Sequence, residues 1–216
     1  MKRMLTIGIV VLAVAVVASS PLWAFRMLQN TAIGRVTAGY RVTCNASGGF
    51  AHWTIASIPW RLNTSGQGAG KEDALTAAAA SWTNVAGANH APFNAGTTTA
   101  GWATDGVNAM VWKKNGNGCA GGCLALTALV LQAGQVIVES DVTYNAFYAW
   151  RTTGADIDTQ AVMAHELGHT LGIHHTEISS SPLPTMYASY FGVDERTLQA
   201  DDESALQCSQ GRYPVP

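Results

Sequence analysis

Eleven residues, His165-Glu166-Leu167-Gly168-His169-Thr170-Leu171-Gly172-Ile173-His174-His175, carry four of the chain's six histidines and constrain what can surround them. His165 and His169 stand four apart. On a helix that spacing places them roughly 40° apart around the axis and about 6 Å apart along it, so both imidazoles share one face. Two such rings can reach a single tetrahedral zinc ion. Glu166 projects about 100° away from His165, placed to touch a water at the metal, which is the general-base position of the His-Glu-x-x-His arrangement. On a continuing helix His175 would lie about 15 Å beyond His165 and could not contribute. Gly172 removes that obstacle, because a left-handed residue there ends the helix and turns the chain back. The candidate metal ligands are therefore His165, His169 and His175, with Glu166 as the catalytic residue. His174 is the alternative third ligand; the spacing favours His175, which leaves His174 exposed or hydrogen-bonded nearby.

The first 24 residues read as a secretory signal. Lys2 and Arg3 form a basic start, Leu5 to Ala18 is apolar, and Leu22-Trp23-Ala24 offers cleavage after Ala24. The other reading is an uncleaved anchor, but the apolar run is short against the roughly 20 residues a bilayer requires. The sequence therefore predicts a secreted, extracellular protein without stable membrane association after cleavage. The chain carries a net charge of −2, and losing Lys2 and Arg3 with the leader leaves −4. No basic patch points to nucleic acid or an anionic membrane. The rest fits one domain and a monomer: a short pre-domain or pro-segment over 25–40, with little pattern, then a single unit over 41–216. Charged residues make up only 12%, yet seven tryptophans and the Val/Leu runs can build a core.

Element order follows from periodicity. A strand starts at Ile58, and Lys71 to Ala86 repeats apolar residues at helical spacing, with Trp82 in the core. The polar stretch from His90 to Thr104 holds a strand near Phe93, and Ala109 to Lys113 is another. Ala125 to Leu131 and Gln135 to Tyr144 are two strands joined at Ala133-Gly134. Glu139 and Asp141 share one face of the second, where such acids are ordinarily solvated; their hard oxygens also suit a structural calcium ion. The metal helix runs from Asp156 to Leu171, capped by Asp156 or Asp158. Its stripe of Ala161, Ala164, Gly168 and Leu171 lets it pack closely on a sheet. A last helix spans Thr197 to Gln207. Four cysteines in an exported chain imply disulfides: Cys119 with Cys123 across a small loop, and Cys44 with Cys208 near the two ends of the domain. A capping role for Cys44 on the zinc is a further option.

With His165, Glu166, His169, Gly172 and His175 in place, the chain resembles the metzincin metallopeptidases, and residues downstream make it similar to the matrixins in a compact, bacterial-like form. Thr176 follows the third histidine. Met186, in Thr185-Met186-Tyr187-Ala188-Ser189-Tyr190, resembles the family's Met-turn, an apolar floor beneath the metal, and Tyr190 then corresponds to a wall of the pocket for the side chain after the scissile bond. Leu198-Gln199-Ala200-Asp201-Asp202 resembles the acidic start of the family's last helix, which ties the Met-turn to the chain start. The specific match covers about 158–207. The resemblance implies an α+β zincin fold: a mixed, mostly parallel twisted sheet with an active-site helix, a backing helix and a C-terminal helix. It implies a zinc-dependent endopeptidase acting on protein or peptide. There are departures. Ala188 stands where the family often has proline, Cys44 lacks the family's latency context, and His52 and His90 are too few for a second, structural zinc.

Two functions of other classes stay open at this point. One is a secreted, non-catalytic binding module stabilised by zinc; Glu166 argues against it, because a structural zinc site closes its fourth position with a protein ligand. The other is a zinc hydrolase of non-peptide amides.

Overall fold

The structure, a computed structural model, describes residues 24–43, 49–114, 119 and 121–209. The leader before Ala24 and the pairing expected for Cys44 lie outside the described residues. Twelve strands and three α-helices follow one another among the described residues. The first strands are β1 (Arg26–Gln29), β2 (Gly34–Val36), β3 (Tyr40–Val42), β4 (His52–Trp53) and β5 (Ser57–Asn63), followed by helix α1 (Glu72–Thr83). Next come β6 (Ala91–Thr98), β7 (Ala109–Lys113), β8 (Ala125–Gln132), β9 (Val136–Asn145), β10 (Trp150–Arg151) and β11 (Ile157–Asp158). Helix α2 (Thr159–Thr170), β12 (Ile173–His174) and helix α3 (Ala200–Ser209) complete the order.

The main sheet has seven strands in the order β2-β8-β9-β7-β5-β6, with β4 also paired to β9. Strands β5, β6, β7 and β9 run parallel, and β8 and then β2 are antiparallel at one edge. This is the mixed, mostly parallel sheet with three helices that the resemblance implies. Alternation is clear in β5, where Ile58, Trp60 and Leu62 are fully buried while Ser57 and Arg61 face solvent. Helix α1 buries Ala74, Leu75, Ala78, Ala79 and Trp82, the helical spacing read from the sequence. Trp112 stacks on Tyr144 with ring centres 4.6 Å apart, and Trp150 meets Tyr144 edge-on, which anchors the β9 end of the core.

Residues 25–40 hold more structure than their pattern suggests. Strand β1 pairs with both β12 and β3 in a small separate sheet, and β2 adds to the edge of the main one. Phe25 and Met27 enter the core.

Glu139 and Asp141 correct the expectation of solvated acids. They are 2% and 0% exposed. Arg35 of β2 pairs with both, at 3.3 Å to Glu139 Oε1. Backbone N–H groups of Ala103 and Ala109 donate to Asp141, and those of Asp105 and Gly106 donate to Glu139. Burial without such partners would be prohibitive, so the loop 101–108 wraps the pair. Cys119 and Cys123 form the expected disulfide, their Cα atoms 5.2 Å apart.

Candidate metal centre

Helix α2 begins where Asp158 caps it, its carboxylate accepting from Ala161 N–H at 2.9 Å. Arg196 pairs with the same carboxylate and holds its pKa below the usual range against the pull of burial. The helix is buried on nearly every side. The stripe read as facing a sheet meets other partners at two positions: Trp82 of α1 donates to Ala164 O at 2.8 Å, and Gly168 lies against Trp82 and Met186. A Cβ at Gly168 would fall 2.7 Å from Trp82 Cζ2 and collide with the Met186 sulfur. Only glycine lets the methionine come this close.

The helix ends as Gly172 predicts. Gly172 has φ +85°, and a Cβ there would run into Ala51 O. Leu171 N–H still reaches Leu167 O at 3.1 Å, Gly172 N–H reaches His169 O at 3.0 Å, and Trp53 Nε1 satisfies Thr170 O at 2.8 Å. Beyond the turn, Ile173 and His174 pair with Met27 and Arg26 of β1. That pairing fixes the direction in which His175 leaves.

The result brings together the three histidines chosen from the sequence. Ligand atoms of His165, His169 and His175 all lie within 4.8 Å of one another. His175 Nε2 is 3.3 Å from His165 Nε2 and 3.1 Å from His169 Nε2. Outward, His165 Nδ1 meets Thr185 O at 2.7 Å and His169 Nδ1 meets Ile173 O at 2.8 Å. Those carbonyls can only accept, so each Nδ1 carries the proton and each Nε2 turns a lone pair inward. Burial keeps the rings neutral, lowering His165 to about 4 and His175 to about 3. Two inward lone pairs meet the His175 Nε2 at close range, so this donor set fits a zinc ion held by neutral imidazoles. His174 sits beside the group, its Nδ1 accepting from His175 N–H at 2.7 Å.

Glu166 is 5% exposed, and the hydroxyl of Thr127 on β8 donates to its Oε2. Burial raises the Glu166 pKa to about 7, with the Thr127 hydrogen bond opposing. Both residues line a cavity of about 580 Å³ together with the histidines, Tyr190 and Glu195. Glu195, 2% exposed, accepts from Phe191 N–H at 3.2 Å; burial first, then the charges of Glu166 and Asp158, push it up to about 8.

Met186 is buried under α2, and Tyr190 lines the cavity, its hydroxyl accepting from Asp158 N–H at 2.8 Å and donating to Asp156 O. The turn is held by Asp202, whose carboxylate accepts from the N–H groups of Thr185 (2.8 Å), Met186 (3.0 Å) and Gln199 (2.8 Å). Asp201, next to it, accepts from Phe25 N–H at 3.1 Å and from the Thr176 hydroxyl at 2.6 Å. The last helix thus ties turn and chain start together, as expected. Thr127 and Glu195 were not singled out from the sequence. A threonine within a strand and an acid after a turn carry no local mark of a site.

A family model described as Matrixin matches residues 53–209. The chain is similar to karilysin of Tannerella forsythia, 45% identical over 65 residues, which is 30% of this chain and 13% of that protein. It is also similar to stromelysin-3 of Xenopus laevis, 38% identical over 82 residues, or 36% of this chain and 16% of that one. The chain therefore aligns with under a fifth of the length of either relative.

Proposed function

Because the chain belongs to the matrixin family of zinc metallopeptidases, we propose that it is a secreted zinc-dependent endopeptidase in which His165, His169 and His175 hold the metal and Glu166 is the general base. The observation that carries this reading is the convergence of three Nε2 atoms, two of them, on His165 and His169, aimed inward by backbone carbonyls on their Nδ1 atoms. When bound there, zinc supplies a Lewis acid that acidifies water and polarises a scissile carbonyl. Glu166, adjoining the histidines in the same cavity, takes a proton from the attacking water and returns it to the leaving amine. A carboxyl lifted to about 7 by burial is matched to both halves of that transfer near neutral pH. The Thr127 hydroxyl fixes one carboxylate oxygen and leaves the other for the water.

The peptide lies extended beside β8, pairing through its backbone. Tyr190 walls the pocket, and Glu195 adds a neutral carboxyl to it. The basic, apolar and small-residue succession of residues 1–24 supports export. The test is hydrolysis of casein and of a peptide library by the purified chain with zinc, with chelator, and as Glu166→Gln. Cleavage that is lost with chelator, restored by zinc and abolished by Glu166→Gln is expected. Undiminished cleavage by Glu166→Gln would sink the reading.

A further inference from the structure

Strand β8 meets β9 along one edge over its whole length. Its other edge is shared. Strand β2 pairs with it antiparallel at three positions, Gly34 with Leu131, Arg35 with Val130 and Val36 with Leu129. The chain in β2 thus points down β8 toward Thr127, the residue that holds Glu166. After Val36, residues Thr37, Ala38 and Gly39 line the same cavity as His165 and Glu166, and the chain then departs into β3. One half of the edge is taken by the protein's own strand, and the other half, Ala125 to Thr127, lines the cavity.

Strand β2 is also pinned. Arg35, Val130 and Glu139 stand in one row across three strands. The guanidinium reaches over that row to Glu139 and Asp141 and lies 4.8 Å above the Trp102 ring. Before the strand, Asn30 and Gln135 exchange hydrogen bonds, Asn30 N–H donating at 2.8 Å to Gln135 Oε1 and Gln135 Nε2 donating back to Asn30 O.

We propose that β2, held by Arg35, occupies on β8 the place that the N-terminal part of an extended substrate would take, and so limits how many residues a substrate can carry before its scissile bond. The inference rests on the peptidase reading above. An exposed strand edge binds extended peptide by adding a strand. The pairing this edge already makes is antiparallel, which is also the more stable kind. A substrate running the same way places its N-terminal residues toward Leu129, and the same N–H and C=O groups cannot serve two strands. At about 3.4 Å per residue, roughly two or three substrate residues fit between Thr127 and Val36. Longer N-terminal extensions must dislodge β2 and part Arg35 from two buried carboxylates. Among the described residues, extensions beyond the scissile bond on the other side meet no such strand.

The test uses the zinc-loaded full chain and nested fluorogenic peptides that share one scissile site and differ in length at one end. Wild type should lose kcat/KM about tenfold or more as the N-terminal side grows past β2, and little as the C-terminal side grows. Arg35→Ala should restore the long peptides toward the short ones, with faster hydrogen exchange at residues 34–36 and unchanged exchange in α2. Arg35→Lys, which keeps a cation, should retain most of the length dependence. Glu166-dependent cleavage that ignores N-terminal length in wild type overturns the strand as a limit while leaving the peptidase intact. If no peptide of any length shows Glu166-dependent cleavage, the peptidase reading falls and this one with it. The wild-type length series decides the matter even if Arg35→Ala fails to fold.

Discussion

Two groups of buried carboxyls lie within this small domain, and they are treated differently. Asp158, Asp202, Glu139 and Asp141 are each surrounded by donors: three backbone N–H groups on Asp202, Arg196 with an N-cap bond on Asp158, and Arg35 with loop amides on the strand acids. Among the described residues, Glu166 and Glu195 have a thinner supply, the Thr127 hydroxyl for one and the Phe191 N–H for the other. Both line the cavity, and both sit near or above neutrality, at about 7 and about 8. A carboxylate surrounded by donors is held in place, so it organises backbone. One left short of donors in a low-dielectric pocket exchanges its proton in the working range. The number of donors, more than burial, separates scaffold from chemistry here.

The sharpest way to break that contrast is at Glu166. Glu166→Gln keeps the shape and the Thr127 contact but removes the proton acceptor. Peptide hydrolysis should fall by roughly 10²–10⁴-fold, with zinc content by metal analysis and melting temperature nearly unchanged. Asp202→Ala should show the opposite profile. Three N–H groups would be stranded beneath the site, costing about 3 kcal/mol and, for a domain of this size, roughly 6–12 °C in melting temperature by calorimetry. Thr127→Val is expected to be milder. Glu166 loses its orienting hydroxyl, so kcat should drop about tenfold while KM holds, and an equal fall in stability and activity would instead make Thr127 ordinary core.

Glu195 gives the smallest effect and the finest test. Its folded pKa of about 8 lies above its ordinary value of 4.5, so its protonated form adds stability below the unfolded pKa, and that contribution is lost as pH rises through about 8. Asp141 and Asp202, raised to about 6, end their shares lower. The buried neutral histidines add an opposite rise near pH 6.5, so the readout is a difference: in the Glu166→Gln background, the melting-temperature advantage of Glu195 over Glu195→Gln should shrink as pH rises from about 6.5 to 8. An unaltered difference would place Glu195 with the carboxyls surrounded by donors.

How much of this could be read from the chain depends on how local the signal is. Helix α2, its Asp158 cap and its stop at Gly172 follow from contacts within one or two turns, whereas the direction in which His175 returns is set by pairing with β1 far back in the chain. Met186 and the Asp201-Asp202 pair were legible only through likeness to a known family, since a lone methionine is ordinarily core filler. Thr127 and Arg35 were beyond reach for a different reason. Thr127 meets Glu166 across 39 residues, and Arg35 meets Glu139 and Asp141 across more than a hundred. Strands of three or four residues such as β1, β2 and β3 are too short to display alternation. The acids of β9 looked like a solvated face because the loop and the arginine that cover them lie elsewhere in the sequence.

The position of Asp202 has a consequence for the order of events during synthesis. The three histidines leave the ribosome well before α3, yet the floor beneath them is fixed by a carboxylate on that last helix. A nascent or C-terminally truncated chain would carry every candidate ligand and the candidate base without the clamp that sets Thr185 O against His165. Completion of the centre is therefore tied to synthesis of α3.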